Sequence, residues 1–277
     1  MNEHMVGGTV PIGVIGGSGL YRLFGESALQ QPVVVDTPYG PPSSPVTVGV
    51  FGGRRVAFLP RHGRDHSVAP HLINARANVW ALASLGVRAL VSTAAVGSVN
   101  PGYPPGSLAI PDQLVDRTWG RRDTFYDEHL VRHLPFADPF CPTLRQVAVA
   151  AVADAIPVAT VTVIQGPRFS SRAESKLYRA MGGDLVNMTL YPEVALAAEL
   201  GVGLVALAFV ADTDAEEPAG TQNAVSADLV FERLNQAEQR ILEAVAAIVA
   251  AVPEHYRPRR LIDDDAVQQV LDMPVRP

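Results

Sequence analysis

The sequence contains a single cysteine, Cys141, among its 277 residues. One thiol cannot form an intramolecular disulfide, so nothing in the sequence indicates an oxidising compartment. The sequence also lacks a run of about 18 apolar residues, which a membrane-spanning helix needs. Residues 1–8 are polar and glycine-containing, without the apolar segment of a secretory signal peptide. These absences predict a cytoplasmic protein that is neither secreted by that route nor embedded in a membrane.

Clustered positive charge is missing as well. The chain carries 22 Lys and Arg residues against 28 Asp and Glu residues, a formal net charge of −6. The electrostatic signature of a nucleic-acid-binding protein is therefore absent. Apolar residues make up 48% of the sequence and charged residues 18%, a balance that excludes disorder and supplies a large core. A small anionic ligand would need a local basic pocket.

Short apolar strands alternate with helical patterns along the chain, without a low-complexity linker. This alternation predicts an α/β fold, a single domain in which a central sheet is flanked by helices. We divide the chain into a flexible N-terminus at 1–10, the domain at 11–252 and a charged tail of unassigned role at 253–277. The predicted strands are 46–50, 55–59, 87–91, 158–164, 185–188 and 202–210. The predicted helices are 70–85, 144–156, 171–182, 192–200 and 226–252.

Polar or glycine-rich stretches follow five of the apolar strands. In open α/β sheets the carboxyl ends of the strands are where ligands bind, so the five stretches predict one shared site. They are Gly16–Gly19, Arg61–Gly63, Thr93–Gly97, Asn187–Thr189 and Ala211–Asp214.

The first stretch, in the motif GVIGGSGLY, is a glycine turn suited to an anion. Its glycines allow close backbone approach and Ser18 adds a hydroxyl donor. A dinucleotide-binding unit is an alternative, since Asp36 follows at about the distance of a ribose-binding acid. The glycine spacing does not match that fingerprint, and the segment before Val33 leaves little room for a crossover helix. A plain tight turn is the other alternative.

The motif FLPRHGRDH places a cation and two imidazoles after a strand. Arg61 can grip two anion oxygens with its fork and His62 can add a third donor. His62 and His66 have a spacing that could hold zinc on a helix, but Pro60 and Gly63 argue against a helix there. An ordinary surface loop is the remaining alternative.

The motif VADTD ends a long apolar strand with two acids, Asp212 and Asp214. Carboxylates at i and i+2 point to the same side of an extended chain and repel each other. One of them should have a raised pKa and stay available as a proton donor near neutral pH. An ordinary acidic strand exit is the alternative. Phe169 offers a face for base stacking, although phenylalanine is more often core.

Taken together, these motifs resemble the trimeric purine nucleoside phosphorylase family, in its methylthioadenosine phosphorylase branch. The resemblance covers about residues 11–250, and the motifs occur in the family's order. They are IGVIGGSGLY, FLPRHGRDH, NARANVWAL, STAAVGS, IPDQLVDRT, GPRFSSRAES, NMTLYPE and DTD. The resemblance implies a mixed sheet of the purine nucleoside phosphorylase type.

The activity that the resemblance implies is phosphorolysis of 5′-methylthioadenosine in purine and methionine salvage. Inorganic phosphate is a co-substrate, and no metal or organic cofactor takes part. The expected products are adenine and 5-methylthioribose 1-phosphate. The phosphate-binding residues implied are Ser18, Arg61, His62, the backbone at Ala94 and Ala95, and Thr189.

The resemblance also implies where the nucleoside binds. Asp212 and Asp214 would be the catalytic acids at the base, with Thr213 between them. The other nucleoside-binding residues would be Phe169, Asn187 and Met188. The residues implied around the 5′ group are Ser170, Ala227, Val230, Phe231, His66 and His133, the last from a neighbouring subunit. The assembly implied is a homotrimer, with a dimer of trimers as the alternative, and neither nucleic acid nor membrane is a partner.

Three positions depart from the family pattern. Ala94 lacks the hydroxyl that some members place on phosphate, Ala211 replaces a common threonine, and the loop at 215–223 is longer than in the animal enzymes. The last two departures leave the 5′ group open, so 5′-deoxyadenosine and adenosine are alternative substrates. A 6-oxopurine nucleoside phosphorylase acting on inosine or guanosine is the rival within the family. A non-catalytic nucleotide-binding module is the alternative from another class.

Overall fold

The structure is a computed structural model that describes residues 10–18, 20, 23–24, 30–127, 131–215 and 225–275. Within these ranges the chain forms one sheet of ten strands. They are β1 Ile12–Gly16, β2 Gln31–Val33, β3 Val46–Phe51, β4 Arg54–Pro60, β5 Ala89–Ser98, β6 Leu108–Ala109, β7 Gln113–Arg117, β8 Thr160–Ile164, β9 Leu185–Asn187 and β10 Gly203–Asp212. The helices are α1 Ala75–Ser84, α2 Pro142–Ala151, α3 Arg172–Ala180, α4 Leu190–Glu199, α5 Ala227–Ala251 and α6 Asp264–Leu271.

The sheet is mixed, and β5 is its central strand. The strand order is β2-β3-β4-β1-β5-β9-β8-β7, and β10 pairs with both β5 and β6. β5 runs parallel to β1 at Ala89–Ser92 on one side and to β10 from Ala89 to Gly97 on the other. Near its end β5 pairs with β9 in the antiparallel direction, at Gly97 and Ser98. The prediction of a mixed α/β sheet is confirmed.

Helices cover both faces of the sheet and define two apolar cores. One core holds residues of α1, α4 and α6, and the other holds residues of α2 and α5. β10 is buried along its whole length between them, as a continuous apolar run predicts. Every described helix is too short or too polar to cross a bilayer.

The predicted helix at 70–85 is two elements in the structure. Pro70–Leu72 forms a short 3-10 turn, and α1 begins only at Ala75. Asn74 is the reason, because its side-chain oxygen accepts the N–H of Ala77 and caps α1. The amide nitrogen of Asn74 also donates to Tyr39 O at 2.7 Å. Apolar periodicity alone does not detect such a cap.

The dinucleotide alternative is wrong. Such a unit needs two neighbouring parallel strands joined by a helix. Here the strand after β1 in sequence is β2, which pairs antiparallel with β3 at the sheet edge. The parallel neighbours of β1 are β4 and β5. Asp36 is exposed beyond β2.

The C-terminal tail, to which the sequence assigned no role, packs against the domain. Tyr256 Oη lies 3.1 Å from Cys141 Sγ, and Arg259 donates to the Asp138 carbonyl at 2.8 Å. α6 then reaches α1, where Trp80 Nε1 donates to Val270 O at 2.9 Å. Residues 253–275 are therefore part of the folded unit, whereas 1–9 lie outside the described residues.

Gly203 is the position where the tail comes closest to the sheet. A Cβ placed on Gly203 would lie 1.8 Å from Tyr256 Oη and 3.2 Å from Cys141 Sγ. We expect Gly203→Ala to destabilise the fold by about 1–3 kcal/mol because it overpacks this contact. Adding Tyr256→Phe should recover part of the loss, since the hydroxyl is the clashing group. Urea unfolding measures both effects.

Gly102→Ala is the matched control, because its Cβ would come no closer than 3.3 Å, to Asn100 Oδ1. Equal stability of Gly203→Ala and Gly102→Ala would contradict this account of the tail.

Candidate active site

A cavity of about 200 Å³ lies beside the junction of β5 and β9. Residues of all five predicted stretches line it. The predicted site residues in the lining are Ser18, Arg61, His62, His66, Ala94, Ala95, Phe169, Asn187, Met188, Thr189, Asp212, Asp214, Ala227, Val230 and Phe231.

The strands reach this cavity from two directions. β1, β4, β5 and β10 are parallel, so their carboxyl ends meet at one edge. β9 runs against β5 and brings residues 187–189 to the cavity from the opposite side. Asn187 Nδ2 donates to Ala95 O at 3.1 Å and joins the two strands. The five stretches share one site, as predicted. Residues 187–189 reach it because β9 is antiparallel to β5, and not because β9 ends at the common carboxyl edge.

Arg61 is almost completely enclosed, with 1% of its surface exposed. Its Nε and Nη2 atoms donate to the two carboxylate oxygens of Glu193, at 2.8 and 3.0 Å. Nη2 also donates to Ser92 Oγ, and Nη1 donates to Thr93 O. A guanidinium has five N–H groups, so four are engaged and one on Nη1 is left for a ligand.

The predicted two-oxygen grip of Arg61 is therefore wrong in this structure, because Glu193 occupies the fork. The ion pair fixes the guanidinium through α4 and leaves one N–H donor at the cavity. Sequence analysis missed Glu193. The available signal was an acid inside the apolar helix LYPEVALAAE, since a buried carboxylate requires a partner.

His62 is neutral in the folded protein. Burial, with the charge of Arg61 as the next cause, lowers the pKa of His62 to about 3. His62 Nδ1 lies 2.9 Å from Val68 O. A carbonyl only accepts, so Nδ1 carries the proton and Nε2 is an acceptor. The predicted donor role of His62 thus becomes an acceptor role, suited to a protonated oxygen of a ligand.

The chain after His62 is held in an unusual conformation. Gly63, Asp65 and His66 all have positive φ, at 72°, 59° and 54°. The His66 ring stacks on His62, with centroids 4.2 Å apart, and lies perpendicular to the Phe231 ring, with centroids 5.2 Å apart. Strained backbone in a non-glycine residue is typical of functional sites. Both imidazoles belong to this wall of stacked rings rather than to a helical zinc site.

The glycine turn contacts Arg61 directly. A Cβ on Gly17 would lie 2.5 Å from Thr93 O and 3.1 Å from Arg61 Nη1, so only glycine fits. The Gly17 N–H donates to Thr93 Oγ1 at 2.9 Å. This amide is therefore bonded to β5 and not available to a ligand. Among the described residues of the turn, Ser18 lines the cavity.

The acid pair lies at the carboxyl end of β10. Its register against β5 shifts between Val210 and Asp212, and this irregularity precedes the turn. Asp214 has φ 49°, and its N–H donates to Asp212 Oδ1 at 2.7 Å. Both residues are 4% exposed. Burial raises the pKa of Asp212 to about 7, as predicted for one member of the pair.

Ser170 lies beside this pair rather than on the apolar wall. Its hydroxyl donates to Asp214 Oδ1 at 3.1 Å, and Ser175 Oγ donates to Asp214 Oδ2. The Ser170 hydroxyl is used by a carboxylate of the acid pair, and the role of Ser170 at the 5′ group stays a prediction. Sequence analysis missed Ser175, although its position four residues after the capping residue Ser171 places it on the same helix face.

Several other predicted residues have structural partners or lie outside the lining. Asn187 Oδ1 accepts the N–H groups of Thr189 and Leu190, both at 2.7 Å, and so orders the start of α4. Thr213 is half-buried between the acids, and His133 is exposed in this chain. Residues 216–223 of the predicted long loop lie outside the described residues.

The model of the phosphorylase superfamily matches residues 11–250. The S-methyl-5′-thioadenosine phosphorylase of Mycolicibacterium smegmatis is 50% identical over 86% of this chain and 91% of its own. The purine nucleoside phosphorylase of Streptomyces coelicolor is 44% identical over 87% of this chain and 89% of its own.

A solved structure shows the same architecture. The methylthioadenosine phosphorylase of Schistosoma mansoni, in complex with adenine, superposes with a TM-score of 0.81 at 33% identity. The alignment covers 97% of this chain and 99% of the other. The resemblance predicted from the motifs is confirmed, and the chain belongs to the phosphorylase superfamily.

Proposed function

We propose that this chain catalyses the phosphorolysis of 5′-methylthioadenosine, giving adenine and 5-methylthioribose 1-phosphate. The observation that carries the proposal is that one cavity holds both a corner suited to phosphate and a protonated carboxyl group. Arg61 and His62 offer a corner with one N–H donor and one acceptor, and Asp212 offers a buried carboxyl that keeps its proton up to about pH 7. The names of the relatives support the same reaction.

Phosphate fits the first corner in its monoprotonated form. The remaining Nη1 N–H of Arg61 and the hydroxyls of Ser18 and Thr189 would donate to its oxygens. His62 Nε2 would accept a hydrogen bond from the P–O–H group, since the Val68 carbonyl keeps the proton of the ring on Nδ1. The Ala94 and Ala95 backbone lines the same end of the cavity. The side chain of Ala94 has no hydroxyl and offers no donor to phosphate.

The reaction forms a bond from a phosphate oxygen to C1′ and breaks the bond from C1′ to N9. The electron pair of the broken bond moves into the purine, which needs a proton at N7. Asp212 would supply it: because Oδ1 accepts the Asp214 amide, the proton lies on Oδ2. Placing a proton donor where negative charge develops stabilises the transition state. No metal or organic cofactor is required by this scheme.

The adenine specificity rests on the acid pair, and the 5′ specificity on the apolar wall. A carboxylate accepts from the exocyclic amino group of adenine, which a 6-oxopurine lacks. Val230, Phe231 and Ala227 line the cavity together with the His66 ring. This wall suits a methylthio group better than a hydroxyl, since an unpaired hydroxyl is costly to bury. Phe169 and Met188 would enclose the base and ribose.

Assembly and location complete the proposal. His133 is exposed in this chain, so its role at the 5′ group requires a neighbouring copy, and we propose a homotrimer in the cytoplasm. A 6-oxopurine nucleoside phosphorylase is the second candidate, because a relative at 44% identity is named purine nucleoside phosphorylase.

Phosphate-dependent release of adenine from 5′-methylthioadenosine, followed by ultraviolet absorbance, tests the function. We expect kcat/KM for this substrate to exceed that for adenosine by at least about 10-fold, the discrimination typical of one apolar group in a pocket. Inosine should be the poorest substrate. Failure to release adenine would refute the proposal, and a preference for inosine would establish the second candidate.

Asp212→Asn tests the proton donor. An amide cannot supply a proton to N7, so kcat for 5′-methylthioadenosine should fall by about 100-fold or more. An amide can donate to the 6-oxo group, so the ratio of inosine to adenosine activity should rise. Asp154→Asn, at an exposed position paired with Arg240, is the control. Unchanged base selectivity in Asp212→Asn would contradict the role of the pair.

Arg61→Ala tests the phosphate corner. It should raise the Michaelis constant for phosphate and cost about 3–5 kcal/mol of stability, because Glu193 stays buried without its partner. Arg61→Ala with Glu193→Ala should recover stability but not phosphate affinity. Arg260→Ala breaks an exposed ion pair and should change neither much. A normal phosphate Michaelis constant in the double variant would exclude Arg61 from phosphate binding.

A further inference from the structure

Two serine hydroxyls hold Asp214, one on each carboxylate oxygen. Ser170 Oγ donates to Oδ1 at 3.1 Å, and Ser175 Oγ donates to Oδ2. Ser175 comes from α3, an element otherwise remote from β10, and is 8% exposed. Hydroxyl donors of this kind stabilise the ionised form of a carboxyl group. The two hydroxyls thus favour the ionised form of Asp214 against the effect of its burial.

The hydroxyl of Ser175 has two acceptors within reach, the Asp214 carboxylate and a backbone carbonyl of its own helix. Ser175 Oγ lies 3.3 Å from Ser171 O, the carbonyl one helical turn earlier. One hydroxyl donates one proton, and its contact with the Asp214 carboxylate is shorter. A charged acceptor also forms the stronger hydrogen bond. The proton of Ser175 therefore points to Asp214.

The start of α3 is rigidly held, which fixes the position of Ser175. Ser171 and Glu174 form a capping box, with the Ser171 N–H donating to Glu174 at 2.7 Å. Arg168 donates to both Glu174 oxygens at 2.7 Å. Such a cap orients the first helical turn. Ser175 on that turn is presented to Asp214 at a defined place.

Asp212 differs from Asp214 in its hydrogen-bond donors. Its Oδ1 accepts one backbone N–H, from Asp214 itself. Burial raises the pKa of both acids, but the hydroxyls oppose this rise at Asp214, whereas the charge of Asp214 adds to it at Asp212. The other ionisable groups that act on the pair are Glu174 and Tyr178 of α3 and Arg233 of α5.

We propose that Ser175 is a positioning residue which, together with Ser170, keeps Asp214 as the anionic member of the pair and thereby keeps the transferable proton on Asp212. This inference rests on the proposed function, in which Asp212 protonates N7 of the leaving adenine. Ser175 does not touch the substrate in this scheme. It acts through Asp214, and Asp214 acts on Asp212 by charge and through its backbone N–H.

Removing the hydroxyl should move the proton to the wrong carboxyl group. In Ser175→Ala, Asp214 loses a donor to its charged form and takes up the shared proton more readily. Asp212 then ionises at lower pH and no longer supplies the proton to N7. Ser175 itself contacts neither substrate nor phosphate, so kcat should fall by a larger factor than either Michaelis constant changes.

The pH dependence of kcat/KM is the first readout. Asp212 acts in its protonated form, which is lost as pH rises through about 7 in the wild type, so activity should fall there. In Ser175→Ala this fall should begin about one pH unit lower, equivalent to a 10-fold change in the proton equilibrium. Ser175→Thr retains a hydroxyl and should restore most of the wild-type profile.

Ser171→Ala is the matched control, because it removes the α3 cap without removing a donor to Asp214. If Ser175 only stabilises α3, Ser175→Ala and Ser171→Ala will both keep the wild-type pH dependence, whatever the loss of kcat in each. An unshifted pH profile in Ser175→Ala overturns the proposal. Circular dichroism checks that each variant is folded.

Infrared difference spectroscopy of the protonated carboxyl band gives a readout that is independent of turnover. With Ser175 present, Asp212→Asn should remove the band that titrates near neutral pH, because Asp214 is ionised. With Ser175→Ala added, a band from protonated Asp214 should return. Its failure to return overturns the inference about Ser175, whereas inactivity of the wild type towards 5′-methylthioadenosine overturns the proposed function and leaves this spectroscopic result intact.

Discussion

The buried ion pair between Arg61 and Glu193 joins the parts of the fold that the cavity needs. It connects the end of β4 to α4, and through Ser92 and Thr93 it also connects both to β5. A guanidinium this deeply enclosed is stable only when nearly all its donors are used. The pair therefore demands that α4 packs against the strand ends before any ligand arrives, and it leaves a single directed N–H at the cavity.

The described part of the cavity carries little free charge at neutral pH. His62 is neutral, Asp212 keeps its proton up to about pH 7, Arg61 is balanced by Glu193, and two hydroxyl donors stabilise the negative charge of Asp214. A dianionic phosphate thus meets hydrogen-bond donors rather than excess positive charge. Such an arrangement preserves the strong electrostatics of a buried site without a large penalty for folding.

Sequence reasoning located the site because strand ends, glycine turns and paired acids have local signatures. It placed Asp212, Asp214, Arg61 and His62 in one cavity, as the structure does. It failed where a contact depends on a distant element. Glu193 takes the fork of Arg61, Ser175 reaches Asp214 from another helix, and β9 runs against β5, none of which periodicity encodes. The split of the predicted helix at Asn74 came from a side-chain cap that overrides apolar spacing.

The residues that follow α5 influence the order in which the protein folds. Its bonds join residues very far apart in sequence: Trp80 to Val270 across 190 positions, and Tyr39 to Met273 across 234. Chains are synthesised from the N-terminus, and long loops close slowly. The strands of the sheet can thus pair before α6 is synthesised, but the packing around Trp80 is completed only once α6 is available.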